Sequence, residues 1–366
     1  MKVLFISNIP SPYRVEFFNE LGKYIDLTVV FEAKKAEKIK FDWKDDYSNF
    51  KAIFLSESNI QEKKINFSIL KYIKKNAYDY IFATNYSYRT ELIAYLKMVF
   101  LKIPFVLEID GGIIKKDENW ILKKIKTFLL TKPINYFSPS ESSDRFLMYY
   151  GAEKEKIIRY NFSSFWEKNI LNQPLTINEK NDLKKELGLN NKPLILCVSQ
   201  IIYRKGIDIL VDALNILSED YQCIIIGEQP DDLFASKIKK EKNKKISLYS
   251  FKNTKELEKY YQAADIFVLP TRFDIWGLVI NEALAKGLPI ITTKGCVAGC
   301  ELIKNGYNGY IVETENMLEL KENIKILLED IVLRETMGKN ALKSISKNTL
   351  DNMVNKHLEF LGVNVL

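Results

Sequence analysis

Short runs of β-branched and aromatic residues alternate along the chain with amphipathic segments of ten to fifteen residues, the rhythm of βαβ units. In the first half the strand candidates are Val3–Ser7, Leu27–Phe31, Ala52–Leu55, Tyr80–Thr84, Phe105–Ile109 and Tyr136–Ser138. A helix is predicted after the first strand, with Ser11 placed to cap it and Pro12 in the first helical position, where a missing N–H is harmless. Around Asn172–Asn191 the chain turns polar, with Pro174 and Pro193 on either side of a charged helix, Glu179–Leu187. The alternation then restarts with strands at Leu194–Ser199, Cys223–Ile226, Ile246–Tyr249, Ile266–Pro270 and Pro289–Thr292. Helices are predicted between them at Gly206–Leu217, Lys255–Ala263 and Gly277–Lys286, and helical segments run from about Glu315 onward. The pattern predicts an α/β protein of two Rossmann-like domains, 1–185 and 186–345, facing a cleft. A C-terminal helix is predicted at 346–366. Ligands of such sheets sit beyond the carboxyl ends of the strands.

Composition narrows the chemistry. Of the 366 residues, 47% are apolar and 28% charged, as in a globular soluble chain. The net charge of +7 is unevenly placed: Lys and Arg exceed Asp and Glu by 31 to 24 over residues 1–190, against 23 to 23 over the rest. The first half is therefore the one expected to meet an anionic partner. His357 is the single histidine, which removes Ser-His-Asp and Cys-His catalysis and histidine-based metal hydrolysis. The four cysteines lack zinc-ligand spacing and read as buried free thiols in a reducing cytoplasm. The opening apolar run, Val3–Ile6, is too short for a signal peptide, and the Leu92–Leu107 stretch is broken by Lys97, Lys102 and Pro104, so no bilayer span is expected. The charge is modest and no reader motif appears, so no nucleic-acid partner is expected.

The common nucleotide motifs are missing. The turn after the first strand reads Ser7-Asn8-Ile9-Pro10-Ser11-Pro12 rather than G-x-G-x-x-G, and no P-loop or D-x-D triplet occurs. Three constellations remain. Ser199–Gly206 runs from a strand end into a helix start and carries Gln200, Arg204 and Lys205; adjacent cations and helix amides suit a pyrophosphate, although a solvated basic turn has the same composition. In Pro270–Glu282, Asp274 follows a strand, Gly277 allows close backbone approach, and Glu282 sits among apolar helix residues where a carboxylate needs a partner. A structural ion pair accounts for either acid taken alone. Lys294–Glu301 with Asn305–Tyr310 is a glycine-rich turn, by itself only a loop.

Together these residues resemble the retaining family-4 glycosyltransferases of the GT-B fold, glycosyl transferases group 1. That family's E-x7-E motif and following E-A-x-A-x-G-x-P are matched by Asp274, Glu282, Ala283, Ala285, Gly287 and Pro289, and its phosphate loop by the Ser199–Asp208 segment. The strong match covers about residues 194–312. The resemblance implies that Glu282 binds the donor ribose, Asp274 the donor sugar, and Lys205 the diphosphate, with Arg204 supplying the charge usually found where Gln200 stands. It also implies that the backbone of Leu278 and Val279, after Gly277, faces the phosphates, and that Phe251, Asn253 and Thr254 line the base. Relatives carry a histidine at the strand end matching Glu108–Gly112; here Asp110 is the candidate for the sugar-facing group, with a structural turn as its counterpart. Asn8, Ser11, Tyr13 and Arg14 are expected on the acceptor side. The crossing of the C-terminal helix at 346–366 back to the first domain is likewise implied by the resemblance. The implied activity is retaining transfer from a nucleoside diphosphate sugar, a UDP-sugar first, to a hydroxyl of a glycan or lipid-linked acceptor in capsule, exopolysaccharide or lipopolysaccharide synthesis. No metal or other cofactor is expected. An epimerase and a nonenzymatic sugar-nucleotide binder are the alternatives.

The segment Trp120–Lys132 is predicted to be a helix with Ile121, Leu122, Ile125, Phe128, Leu129 and Lys132 on one side and Lys123, Lys124 and Lys126 largely elsewhere. It reads either as an interfacial helix on the cytoplasmic leaflet or as a helix packing its apolar face on the first sheet.

Overall fold

The apolar runs pair in parallel ladders that sort into two sheets. The structure is a computed structural model and describes residues 1–35, 46–57, 65–114, 117–228, 234, 236, 238 and 243–364. Among these, one compact unit comprises residues 1–164 and 350–366, the other residues 165–349.

The first unit holds strands β1 (Lys2–Ser7), β2 (Asp26–Phe31), β3 (Lys51–Phe54), β4 (Tyr80–Ala83), β5 (Val106–Glu108), β6 (Asn135–Ser138) and β7 (Ile157–Arg159), ordered β3-β2-β1-β4-β5-β6-β7. β1 pairs in parallel with β2 on one side and β4 on the other, so the order reverses beside it. Its residues Val3–Ser7 are all buried, as a central parallel strand covered on both faces requires. Helices α1 (Pro12–Leu21), α2 (Arg89–Phe100), α3 (Trp120–Leu130) and α4 (Glu141–Tyr149) connect the strands. Pro12 opens α1 as expected, but the Ser11 side chain makes no capping hydrogen bond.

In the second unit, α5 (Ile177–Glu186) precedes strands β8 (Leu194–Val198), β9 (Gln222–Ile226), β10 (Ile246–Tyr249), β11 (Ile266–Leu269), β12 (Ile290–Thr293) and β13 (Gly309–Val312), ordered β10-β9-β8-β11-β12-β13. Its further helices are α6 (Ile207–Asn215), α7 (Thr254–Ala263), α8 (Leu278–Ala285), α9 (Val297–Leu302), α10 (Met317–Glu329) and α11 (Ile331–Ile345). The last helix, α12 (Leu350–Leu361), returns to the first unit and packs on α1.

The expected division after residue 185 differs from the observed one after Ser164. The reason is α5: its Lys184 bonds Asp265 at 2.7 Å, which ties this polar helix to the second sheet. Redistributed over the observed units, Lys and Arg against Asp and Glu stand at 28 to 22 in the first and 26 to 25 in the second, so the positive excess stays with the first. Cys197, Cys223 and Cys296 are buried thiols outside any disulfide, whereas Cys300 is exposed on α9, a correction to its expected burial. Among the described residues no helix is long and apolar enough to cross a membrane.

Helix α3 does not pack its apolar face on the sheet. Only Leu129 and Leu130 are buried, while Trp120, Ile121, Leu122, Ile125 and Phe128 are 50–64% exposed. Lys126 departs from the interfacial picture: it pairs with the nearly buried Glu118. Lys123 reaches the Tyr149 hydroxyl at 2.8 Å and Lys124 lies over the Trp120 ring.

Candidate functional site

In the second unit the chemistry gathers where β8 and β11 end. The chain leaves β8 through Ser199 and the exposed Gln200, whose amide donates to Glu228 Oε2 at 3.0 Å, and enters α6 through Tyr203-Arg204-Lys205-Gly206. Gly206 has φ +66°, and a Cβ there would collide with the Pro270 carbonyl. The basic turn is thereby pressed onto the loop after β11. The contact is sewn by the Arg204 carbonyl, which accepts from Arg272 N at 2.9 Å and Thr271 Oγ1 at 3.1 Å.

Asp274 lies across from both cations. Lys205 Nζ bonds Asp274 Oδ2, and Arg204 Nη1 lies 3.4 Å from Asp274 Oδ1 while donating to the Phe273 carbonyl at 2.8 Å. The three sequence-predicted residues thus form one cluster. Gly277, at φ +101°, opens α8: a Cβ would stand 2.9 Å from Cys296 Sγ and 3.5 Å from Asp274 Oδ2. Leu278 and Val279 form the first turn of α8, half-buried, so their amides belong to the free end of that helix. Glu282 is half-buried one turn on and accepts from the Tyr261 hydroxyl at 2.9 Å, the partner its apolar surroundings demanded. Burial pushes the Cys197 and Cys296 thiols up to about 12, so neither offers a thiolate at neutral pH. Phe251, Asn253 and Thr254 are exposed at the start of α7; Asn253 also caps that helix, its Oδ1 accepting from Glu256 N at 3.0 Å.

At the ends of β1 and β5 in the first unit the arrangement differs from the expected acceptor face. Arg14 is buried rather than presented: Nη1 pairs with the fully buried Glu108 and Nη2 with Asp110 Oδ1 at 2.5 Å. Asp110 keeps its second oxygen and a side chain 43% exposed, so it is both the structural turn partner and the carboxylate presented there. His357 arrives from α12, with Nε2 3.1 Å from Glu108 Oε2 and its ring stacked on Phe137. The histidine is thus beside this strand end, yet fully buried. Burial works to raise the Glu108 carboxyl; Arg14 and His357 together outweigh it and hold the group at about 2. Asn8 Oδ1 accepts from Ile9 N at 2.7 Å, and Tyr13 is half-buried edge-on against Phe162.

Two features escaped the sequence reading. One is the Arg14–Glu108–His357 chain, whose members lie 94 and 249 positions apart. The other is Arg272, which the motif contains but to which sequence spacing assigns no role. Among the described residues no group of three or more Asp, Glu, His or Cys side chains is arranged to hold a metal ion.

Residues 179–344 match the model of the family glycosyl transferases group 1. The chain is 26% identical over 211 residues to the N,N'-diacetylbacillosaminyl-diphospho-undecaprenol alpha-1,3-N-acetylgalactosaminyltransferase of Campylobacter jejuni, covering 55% of this chain and 53% of that protein. It is 29% identical over 193 residues to the capsular polysaccharide biosynthesis glycosyltransferase CapM of Staphylococcus aureus, covering 50% and 49%. The chain spans about half the length of the curated relatives it matches. Among solved structures, Anabaena HepE in complex with UDP superposes with TM-score 0.80 at 17% identity over 99% of this chain and 100% of that one. The architecture is GT-B.

Proposed function

We propose that the chain moves a sugar from a nucleoside diphosphate sugar to a hydroxyl of a glycan or lipid-linked glycan, in keeping with the match of residues 179–344 to the glycosyl transferases group 1 model. The observation that carries this reading is the cluster of Lys205, Arg204 and Asp274 beside the free end of α8. In the proposed step the sugar C1–oxygen bond to the diphosphate breaks, and the acceptor oxygen bonds C1 on the same face. The acceptor proton passes to the departing phosphate oxygen, so the configuration is retained. Negative charge grows on the diphosphate, where Lys205, Arg204 and the amides of Leu278 and Val279 meet it without a divalent metal. Glu282 takes the ribose hydroxyls, with Tyr261 fixing its carboxylate. Asp274 takes the sugar hydroxyls once the diphosphate draws Lys205 away, and Gln200 lies beside the phosphates. Phe251 and Thr254 flank the base. Uridine is the favoured base, as the UDP complex of HepE has the same fold. Capsule, exopolysaccharide or lipopolysaccharide assembly is the proposed setting, in keeping with the names of the relatives.

The test is a screen of UDP-, GDP-, ADP- and dTDP-sugars with the purified chain, reading released nucleotide in excess EDTA. Release from a subset of donors is expected with EDTA present. Loss in EDTA restored by magnesium would overturn metal independence, and no release from any donor with any acceptor would leave a binder.

The first unit is proposed to work at the cytoplasmic leaflet. The five exposed apolar side chains of α3 would enter the headgroup boundary, with Lys123, Lys124 and Lys132 in reach of anionic lipid. Each lysine near such a surface adds about 1 kcal/mol. Lys126, neutralised by Glu118, is not counted. Co-sedimentation with vesicles rich in phosphatidylglycerol should fall sharply when Lys123, Lys124 and Lys132 are changed to Gln, and again with Ile125→Ser and Phe128→Ser. Sedimentation that ignores lipid charge, or survives both sets, rejects α3 as the contact.

A further inference from the structure

Arg272 is heavily engaged in the loop that follows the central strand β11. Its five N–H donors are all occupied. Nε bonds Glu315 Oε1, Nη1 donates to the Tyr203 carbonyl at 2.6 Å and Asp208 Oδ1 at 2.8 Å, and Nη2 donates to Asp208 Oδ2 at 2.8 Å and Glu315 Oε2 at 3.1 Å. The guanidinium also lies 3.8 Å over the Tyr203 ring. One residue therefore joins the turn after β8, the loop after β11 and the segment after β13. With no donor left over, it has none to give a ligand.

Its partner Asp208 explains why this matters. Asp208 sits in the first turn of α6, three residues beyond Lys205. An acid there suits the helix but opposes any external anion brought to the same end. Arg272 covers both of its oxygens. The same guanidinium holds the Tyr203 carbonyl, so the Arg204–Lys205 pair is fixed in place and is not answered by Asp208.

We propose that Arg272 is the positioning residue of the diphosphate site: it clamps the Tyr203–Lys205 turn and masks the Asp208 carboxylate, so that Asp208 neither draws on Arg204 and Lys205 nor repels the nucleoside diphosphate they are to meet. The proposal rests on the nucleotide-sugar reading above. A lysine cannot replace Arg272, since an ammonium lacks the planar fork that spans both Asp208 oxygens.

The experiment compares calorimetric binding of UDP with that of uridine, which lacks the diphosphate, using the full chain; GDP with guanosine and ADP with adenosine run in parallel. Arg272→Gln is expected to weaken diphosphate binding by about tenfold, the equivalent of one charged contact, and to leave uridine binding unchanged. Asp208→Asn placed in the Arg272→Gln chain should recover part of that loss, because the unmasked carboxylate is gone. Arg272→Lys keeps the charge and the stem over Tyr203 and guards against misfolding; it should still lose most of the diphosphate increment. Full rescue by lysine, equal losses for UDP and uridine, or no recovery from Asp208→Asn would overturn the proposal. A wild-type chain that binds no nucleoside diphosphate better than its nucleoside would instead overturn the nucleotide-sugar reading.

Discussion

Lys205→Ala is expected to slow transfer by about 10²–10³-fold, the usual cost of removing one preorganised contact to charge that develops in a transition state. Lys205 is well placed for this: its side chain is only 14% exposed, and its ammonium is already oriented by Asp274. The same pairing adds a second consequence. Without Lys205, Asp274 keeps only Arg204, at 3.4 Å, and its carboxylate faces the anionic donor less fully compensated. Part of the loss should therefore be electrostatic repulsion rather than a missing contact. Asp274→Asn in the Lys205→Ala chain should then recover some donor affinity while kcat stays low. Steady-state kinetics separate the two contributions. Unaltered kcat in Lys205→Ala would remove the turn after β8 from the leaving-group site altogether.

What could be read without coordinates followed from burial. Strands covered on both faces show as unbroken apolar runs, so β1, β9 and β11 were legible nearly to the residue. The short strands β7, of three residues, and β13, of four beginning at Gly309, carry too little periodic signal. Asp274, Glu282 and Lys205 were visible because each belongs to a motif next to a glycine-led helix start. Their pairing was not, since Lys205 and Asp274 lie 69 positions apart. Arg14 shows the opposite failure. Placed after the first strand it resembles a ligand-facing cation, and nothing local reveals that Glu108 and Asp110 hold it under the surface. The unit to which α5 belongs was hidden for a related reason: a helix rich in charge gives no local sign of which sheet it joins until its distant counter-ion is known.

That counter-ion, Asp265, carries the largest expected stability effect. Its Oδ2 accepts from Lys184 Nζ at 2.7 Å and Leu194 N at 2.8 Å, and Lys180 lies 3.5 Å from Oδ1. Asp265 and Lys184 are both buried. Burial alone would raise the Asp265 carboxyl, but the two lysines and the Leu194 amide hold it below its ordinary value; burial likewise drives Lys180 below its own. Asp265→Asn preserves the shape and the bond from Leu194, and deletes only the charge. It should cost about 3–5 kcal/mol, as breaking a buried ion pair does by leaving its cation uncompensated. The pH dependence identifies the cause. In the wild type, the depressed Asp265 pKa gives stability that is complete above its unfolded value and is lost as pH falls through the folded one. In the variant that acid loss disappears. Lys180, held below its unfolded pKa by burial and now without an anion, penalises folding most at neutral and low pH, and the penalty eases as pH rises and it deprotonates. Urea unfolding from pH 3 to pH 10 should therefore show the variant converging on the wild type at the alkaline end. Lys184→Met added to Asp265→Asn removes one stranded cation and should restore part of the stability at pH 7. A loss below about 1 kcal/mol would place the pair with solvated surface bridges instead.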